Sequence, residues 1–170
     1  MQGIAKDQIK VIRTSTVPLS LRDLLKGQLR FLNTHFDVVG VSSEGDAVAD
    51  VIANEGIRMV EVNMERKISI LKDFKSVFKM YRVLKKEKPL IVHSITPKAG
   101  LVSMLAARLA GVPIRMHTFT GLIFPYRTGI LQKILIFMDR LICFCATNIY
   151  PEGGGVKRDL QKYKITSKPL

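Results

Sequence analysis

Two stretches of the chain bring together the side chains best suited to chemistry. The first, His-Ser-Ile-Thr-Pro-Lys at 93–98, offers an imidazole, two hydroxyls and an ammonium within six residues. The second, Thr-Phe-Thr-Gly at 118–121, offers two more hydroxyls and the bare backbone of Gly121, with Arg127 a few residues beyond. An imidazole is the natural proton carrier near neutral pH, threonine hydroxyls donate and accept hydrogen bonds, and lysine or arginine holds anions. Recognition of an anionic or hydroxylated ligand is therefore expected of Thr96, Lys98, Thr120, Gly121 and Arg127, with His93 as a candidate proton carrier. Lys98 falls at a predicted helix start, where a cation opposes the helix dipole unless something anionic lies close. Thr96 has two readings, a hydrogen bond to the same ligand or a cap for that helix.

The remaining reactive side chains are read as structural or left open. His117 lies in a predicted strand and points to the face opposite Thr118 and Thr120, as a hydrogen-bonded structural histidine or as a site residue. His35, beside Asn33 and Thr34, belongs to a helix end or loop. Cys143 and Cys145 are two positions apart in a predicted helix, which turns their side chains about 200° from each other. They read as core thiols, and with no clustered histidine nearby no metal site is expected.

Residues 90–121 supply the frame for both stretches. Leu90 to His93 is a short apolar, β-branched run without polar alternation, as in a parallel strand covered on both faces. Thr96 and Pro97 stop it. From Lys98 the residues Ala99, Val102, Met104, Leu105, Ala106, Leu109 and Ala110 recur at helical spacings, Gly111 can close the helix, and Pro113 prevents its continuation before a new strand at Ile114. A strand, a helix and a parallel strand imply a layered α/β domain, in which ligands sit beyond the carboxyl ends of the strands. Both chemistry-bearing stretches open on that edge.

The rest of the chain repeats the alternation. Further strands are predicted at 9–14, 36–42, 57–62 and 147–150, and helices from Ser20 through Leu32, at 47–53, 66–88 and 130–145. Gly27 inside the first helix suggests close backbone approach. Residues 167–170 look like the start of another strand, so a mainly parallel sheet of six or seven strands is expected, in a natural protein that continues further. Neither G-x-G-x-x-G nor a glycine loop ending in Lys-Ser or Lys-Thr follows the first strand, which argues against a dehydrogenase, an epimerase or a nucleotide triphosphatase. Gly153, Gly154 and Gly155 could take a phosphate on backbone amides or mark flexibility alone.

The 170 residues, 47% of them apolar, suffice for one domain with a buried core. The formal charge of +13 points to an anionic partner. On the predicted helix 66–88 the residues Lys72, Lys75, Lys79, Arg82 and Lys86 form a basic stripe, beside an apolar row of Leu71, Phe74, Phe78 and Tyr81 about 100° around the same helix. A solvated face and attraction to an anionic membrane surface both remain open. Nucleic acid is the weakest partner, because tryptophan is absent and the basic residues are not interleaved with stacking aromatics. Lys133, Asp139 and Arg140 interrupt the most apolar segment, and Lys6, Asp7 and Lys10 break any signal peptide, so a cytoplasmic location, at most peripheral on the membrane, is expected.

Four segments then carry a resemblance: Thr-Val-Pro-Leu-Ser-Leu at 16–21, His-Ser-Ile-Thr-Pro-Lys-Ala-Gly at 93–100, Ala-Ala-Arg-Leu-Ala-Gly-Val-Pro-Ile-Arg at 106–115 and Tyr-Pro at 150–151. Together they resemble the amino-terminal domain of bacterial family 4 glycosyltransferases, above all those that build capsular and exopolysaccharide repeat units. The resemblance implies a three-layer, Rossmann-like half of a GT-B fold that binds the acceptor, a lipid-linked saccharide. It places the nucleotide-sugar donor in a second domain outside these residues, with no cofactor bound by this one. Sugar transfer, with retention, would then need both halves. Under the resemblance Thr96, Lys98, Thr120, Gly121 and Arg127 become acceptor contacts. Members commonly have a histidine where this chain has Thr120, so Thr120 joins His93 as a candidate catalytic residue although a hydroxyl is a poor proton carrier. The competing reading is a stand-alone Rossmann-like module that binds a nucleotide or an anionic sugar without catalysis.

Overall fold

A computed structural model describes residues 9–65 and 69–170 of the chain. The first three residues of the predicted helix 66–88 lie outside the described residues. Six strands, β1 Lys10–Thr14, β2 Asp37–Ser42, β3 Arg58–Glu61, β4 Ile91–Ser94, β5 Ile114–Phe119 and β6 Asn148–Pro151, form one parallel sheet in the order β3-β2-β1-β4-β5-β6. Chain order reverses between β1 and β4, and in open α/β sheets ligands gather at that crevice, beyond the carboxyl ends of the strands. Ile12 of β1 sits in register between Val39 of β2 and Val92 of β4, and all three are fully buried, each worth about 2 kcal/mol of hydrophobic stabilisation.

Two helical layers cover the sheet. Helices α4 Ile70–Glu87, α5 Pro97–Ala110 and α6 Gly129–Cys145 pack side by side on one face, with α5 in the middle. On the other face α1 Pro18–Leu24, α2 Gln28–Asn33 and α3 Ala47–Glu55 close a smaller core around Leu21, Leu29, Val38 and Val51. The sheet therefore has the three-layer, Rossmann-like architecture expected of it. Residues 167–170 form no strand; the Lys168 ammonium instead donates to the backbone carbonyls of Cys143, at 2.6 Å, and Ala146.

The local chemistry explains two departures from the predicted elements. The helix expected from Ser20 through Leu32 is two helices, because Pro18 at the first turn starts α1 earlier and Gly27, at φ +75°, breaks the run. Nothing would lie within 4 Å of a Cβ at Gly27, so its role is the left-handed conformation rather than close approach. The Glu55 carboxylate, from the end of α3, accepts the backbone N–H groups of Gly27 and Arg30, both at 2.8 Å, and so satisfies donors at the start of α2. The second departure is α7, Gly154–Lys162, which starts inside the glycine-rich segment and buries Leu160.

Helix α5 lies close on the sheet because its inner face is small. Ala99, Gly100, Ser103, Ala106 and Ala107 are all buried, and a Cβ at Gly100 would fall 2.5 Å from His117 Cε1. The helix ends at Gly111, φ +77°, as its sequence suggests. Cys143 and Cys145 are free and buried, and burial pushes the Cys143 thiol up to about 12, the behaviour of core thiols.

Candidate ligand site at the strand carboxyl ends

The register of the sheet sorts the polar residues of the strand ends into two rows. Arg13 is opposite His93, and His93 opposite Met116, so these side chains share one face; Thr118, two residues on from Met116, shares it too. Thr14 is opposite Ser94, and Ser94 opposite His117, so that row faces α5. This alternation decides which histidine meets the open face and which is sealed in the core.

The row toward α5 is structural. The Thr14 and Ser103 hydroxyls are 2.9 Å apart, and Ser94 Oγ is 2.8 Å from His117 Nδ1. His117 is 1% exposed, and burial holds its imidazolium pKa down to about 3. It is neutral at physiological pH. His117 packs edge-on against Phe119, with ring centroids 4.5 Å apart.

The other row opens on a cavity of about 480 Å³ at the carboxyl ends of β1, β4 and β5, walled by α1 and α2. Its polar lining is Arg13, Gln28, His93, Thr118, Thr120 and Glu152. One Arg13 Nη1–H points at His93 Nδ1, and His93 Nε2 is 2.8 Å from Thr118 Oγ1. A guanidinium can only donate, so Nδ1 accepts, the proton sits on Nε2 and Thr118 receives it. Burial, followed by the Arg13 charge, pushes the His93 pKa down to about 3. With both nitrogens engaged, His93 is placed to orient Arg13 and Thr118.

A second cavity, of about 630 Å³, lies at the amino ends of the strands beside Lys10, Glu87, Leu90 and Gly111. Its lining carboxylate, Glu87, is already matched. Glu87 meets Lys10 at 2.8 Å and Arg58 at 2.7 Å, and these bonds, Arg58 foremost, hold its carboxyl down to about 2. That end of the sheet reads as structural.

The residues singled out in the sequence fall in different places. Thr120 lines the first cavity but donates its hydroxyl to the Ile95 carbonyl at 3.2 Å. Thr96 makes no cap of its own for α5; its Oγ1 accepts the Thr16 N–H at 2.9 Å and lies 2.7 Å from Thr16 Oγ1, which in turn accepts the Ala99 N–H at 3.3 Å. Thr16, from the β1–α1 loop, thus caps the helix across the sheet edge. Lys98 is the clearest correction to the expected surroundings. Its ammonium is 6% exposed and lies 2.7 Å from both Asp73 carboxylate oxygens, so the anion that a cation needs at a helix start comes from α4 within the chain. Gly121 and Arg127 are exposed beyond β5, outside the cavity lining.

Arg13, Gln28 and Glu152 were not legible as lining residues, although Arg13 left a signal. An arginine at the end of a strand otherwise suited to double-sided burial is out of place unless it has polar work to do. The basic stripe lies as expected: Lys72, Lys75, Lys79, Arg82 and Lys86 are all exposed on α4. Lys72 meets Glu65 at 2.6 Å, and Arg82 lies over the Phe78 ring at 4.3 Å. Leu71 and Phe74 beside the stripe are 80% and 74% exposed, whereas Met80 and Leu84 fill the buried face. No described helix is long and apolar enough to cross a membrane.

The sequence model of the glycosyl transferase 4-like proteins matches residues 22–151. The chain belongs to this family. The capsular polysaccharide biosynthesis glycosyltransferase CapM of Staphylococcus aureus is 38% identical over 152 residues, which cover 89% of this chain and 39% of that protein. The UDP-Gal:alpha-D-GlcNAc-diphosphoundecaprenol alpha-1,3-galactosyltransferase of Escherichia coli is 38% identical over 92 residues, 54% of this chain and 24% of that one. The chain thus spans well under half the length of these curated relatives. Among solved structures, a glycosyltransferase from Rickettsia africae superposes with a TM-score of 0.70 at 17% identity, covering 93% of this chain and 40% of that one. For this member of the glycosyl transferase 4-like family the fold and the family are therefore consistent at every level, with the cavity at the sheet edge where such folds take their ligands.

Proposed function

We propose that the chain is the acceptor-side domain of a retaining glycosyltransferase that moves a sugar from a nucleotide-sugar donor to a lipid-linked saccharide in the synthesis of capsule or another cell-surface glycan. The observation that carries this reading is the cavity at the strand carboxyl ends, set in a chain 38% identical over 152 residues to a capsular glycosyltransferase. The acceptor reading also draws on the diphosphoundecaprenol-linked substrate in the Escherichia coli relative's name. The donor is assigned to residues outside this chain, so the domain alone is expected to be inactive. Joined to a nucleotide-sugar domain, it is expected to transfer labelled sugar to a lipid-diphosphate-linked acceptor. Failure with every such acceptor, together with tight binding of a free nucleotide by the 170-residue chain, would favour the binding-module reading instead.

The same reading places the domain on the cytoplasmic face of an anionic membrane, docked through α4. Exposed Leu71, Phe74 and Phe78 can enter the interface while the adjoining Lys75, Lys79, Arg82 and Lys86 meet anionic headgroups, the charge arrangement that peripheral helices use. Each basic residue near the surface contributes about 1 kcal/mol of attraction, screened as salt rises. Co-sedimentation with phosphatidylglycerol vesicles at low salt should therefore be strong, fall with added salt, and fall further in Phe74→Ser/Phe78→Ser. Indifference of the chain to such vesicles would reduce the stripe to a solvated face.

A further inference from the structure

The cavity at the strand ends contains a buried positive charge that nothing in the described chain neutralises. Arg13 is 5% exposed, yet none of the ion pairs among the described residues includes it, and its Nε has no hydrogen-bond partner. Lys98, buried to the same degree, has Asp73. An unpaired buried charge is costly, and Val11 and Ile12 show that aliphatic side chains fit this strand. The guanidinium therefore calls for an anion supplied from outside.

The neighbours say what kind. Thr118 accepts its hydrogen bond from His93 and has no acceptor among the described residues for its own proton, so it can donate to an oxyanion beside Arg13. Gln28 and the exposed Glu152 carboxylate lie on the same cavity, and Glu152 can accept from hydroxyls but repels a second negative charge. Leu25, Leu32 and Ile95 give the cavity an apolar wall for the C–H face of a ring. We propose that the cavity is a subsite for a sugar bearing one oxyanion, a glycosyl phosphate or a uronate, with the oxyanion on Arg13 and Thr118 and the sugar hydroxyls on Gln28 and Glu152. The sugar half of this assignment rests on the transferase reading above; the oxyanion half rests on Arg13.

Titration calorimetry of the 170-residue chain in low-chloride buffer tests it with four probes: inorganic phosphate, N-acetylglucosamine, N-acetylglucosamine 1-phosphate and glucuronate. The sugar phosphate or the uronate should bind most tightly, the neutral sugar least, and Arg13→Gln should weaken the best probe about tenfold or more, the loss of a charge-assisted hydrogen bond. Arg13→Gln should also keep or raise the melting temperature, because it removes an uncompensated buried charge. Arg13-dependent binding of inorganic phosphate with no gain from an attached sugar would retain the oxyanion site and remove the glycosyl reading. Absence of binding by every probe at millimolar concentration, or binding untouched by Arg13→Gln, would overturn the proposal, as would a lowered melting temperature with unchanged binding.

Discussion

Asp73→Ala is expected to destabilise the chain by about 3 kcal/mol, because it strands the Lys98 ammonium, 6% exposed, without an anion. For a domain of this size that corresponds to a drop of roughly 10 °C in melting temperature. The pair is not symmetric. Lys98 sits in the first turn of α5, where the dipole opposes a cation, while Asp73 sits in the first turn of α4, where the dipole favours an anion and the Ser69 N–H lies 3.3 Å from its carboxylate. Asp73 is also the more exposed partner, at 16% against 6%. Lys98→Met should therefore cost only about 1 kcal/mol, and Asp73→Leu/Lys98→Met should recover most of the loss caused by Asp73→Ala, the usual behaviour when a buried pair is replaced by packed apolar groups. Equal losses in the two single variants, read from denaturant melts, would show that the dipoles do not set the balance.

The same double variant separates folding from recognition at Lys98. Under the proposed function, and with the chain joined to a nucleotide-sugar domain, its acceptor kcat/KM is expected to match the wild type, since Lys98 is buried against α4 and is not among the residues lining the cavity. A fall of about tenfold or more, with stability restored, would return Lys98 to the acceptor.

The layer architecture could be read from the sequence because it depends on periodicity, which is local. The small residues Ala99 and Ala106 of α5, the closing Gly111 and the apolar run into His93 each report a single contact surface and lie where their spacing put them, whereas Leu109 of the same row is exposed. The site was harder, because its partners are distant in sequence. Nothing near Lys98 discloses that Asp73 will neutralise it, and nothing near Thr96 discloses that Thr16 will bond to it and cap its helix. Arg13, His93 and Thr118 meet only through the register of β1, β4 and β5, which a sequence does not display. Strand alternation did separate His117 from Thr118, a local inference that needed no partner.

Gly100→Ala is the other substitution expected to cost the most, about 2–3 kcal/mol, although alanine is the better helix former. The added methyl would lie 2.5 Å from Cε1 and 2.8 Å from Nδ1 of His117. That ring cannot retreat: it is 1% exposed, bonded to Ser94 and wedged against Phe119, while α5 is flanked by α4 and α6. Gly40→Ala is the informative contrast. Its Cβ would come nearer still, 2.2 Å from Met59 Sδ, but a half-buried methionine can change rotamer, so a loss below about 1 kcal/mol is expected there. If both substitutions cost the same, the distance alone would govern and the reasoning about what can move would fail. His117→Ser placed beside Gly100→Ala should restore part of the stability, since it removes the ring that the added methyl would strike. The consequence reaches the cavity. Displacing the first turn of α5 would disturb Thr96 and Ala99, both bonded to Thr16 in the β1–α1 loop, so Gly100→Ala should also weaken ligand binding next to Arg13 without touching a residue that lines it.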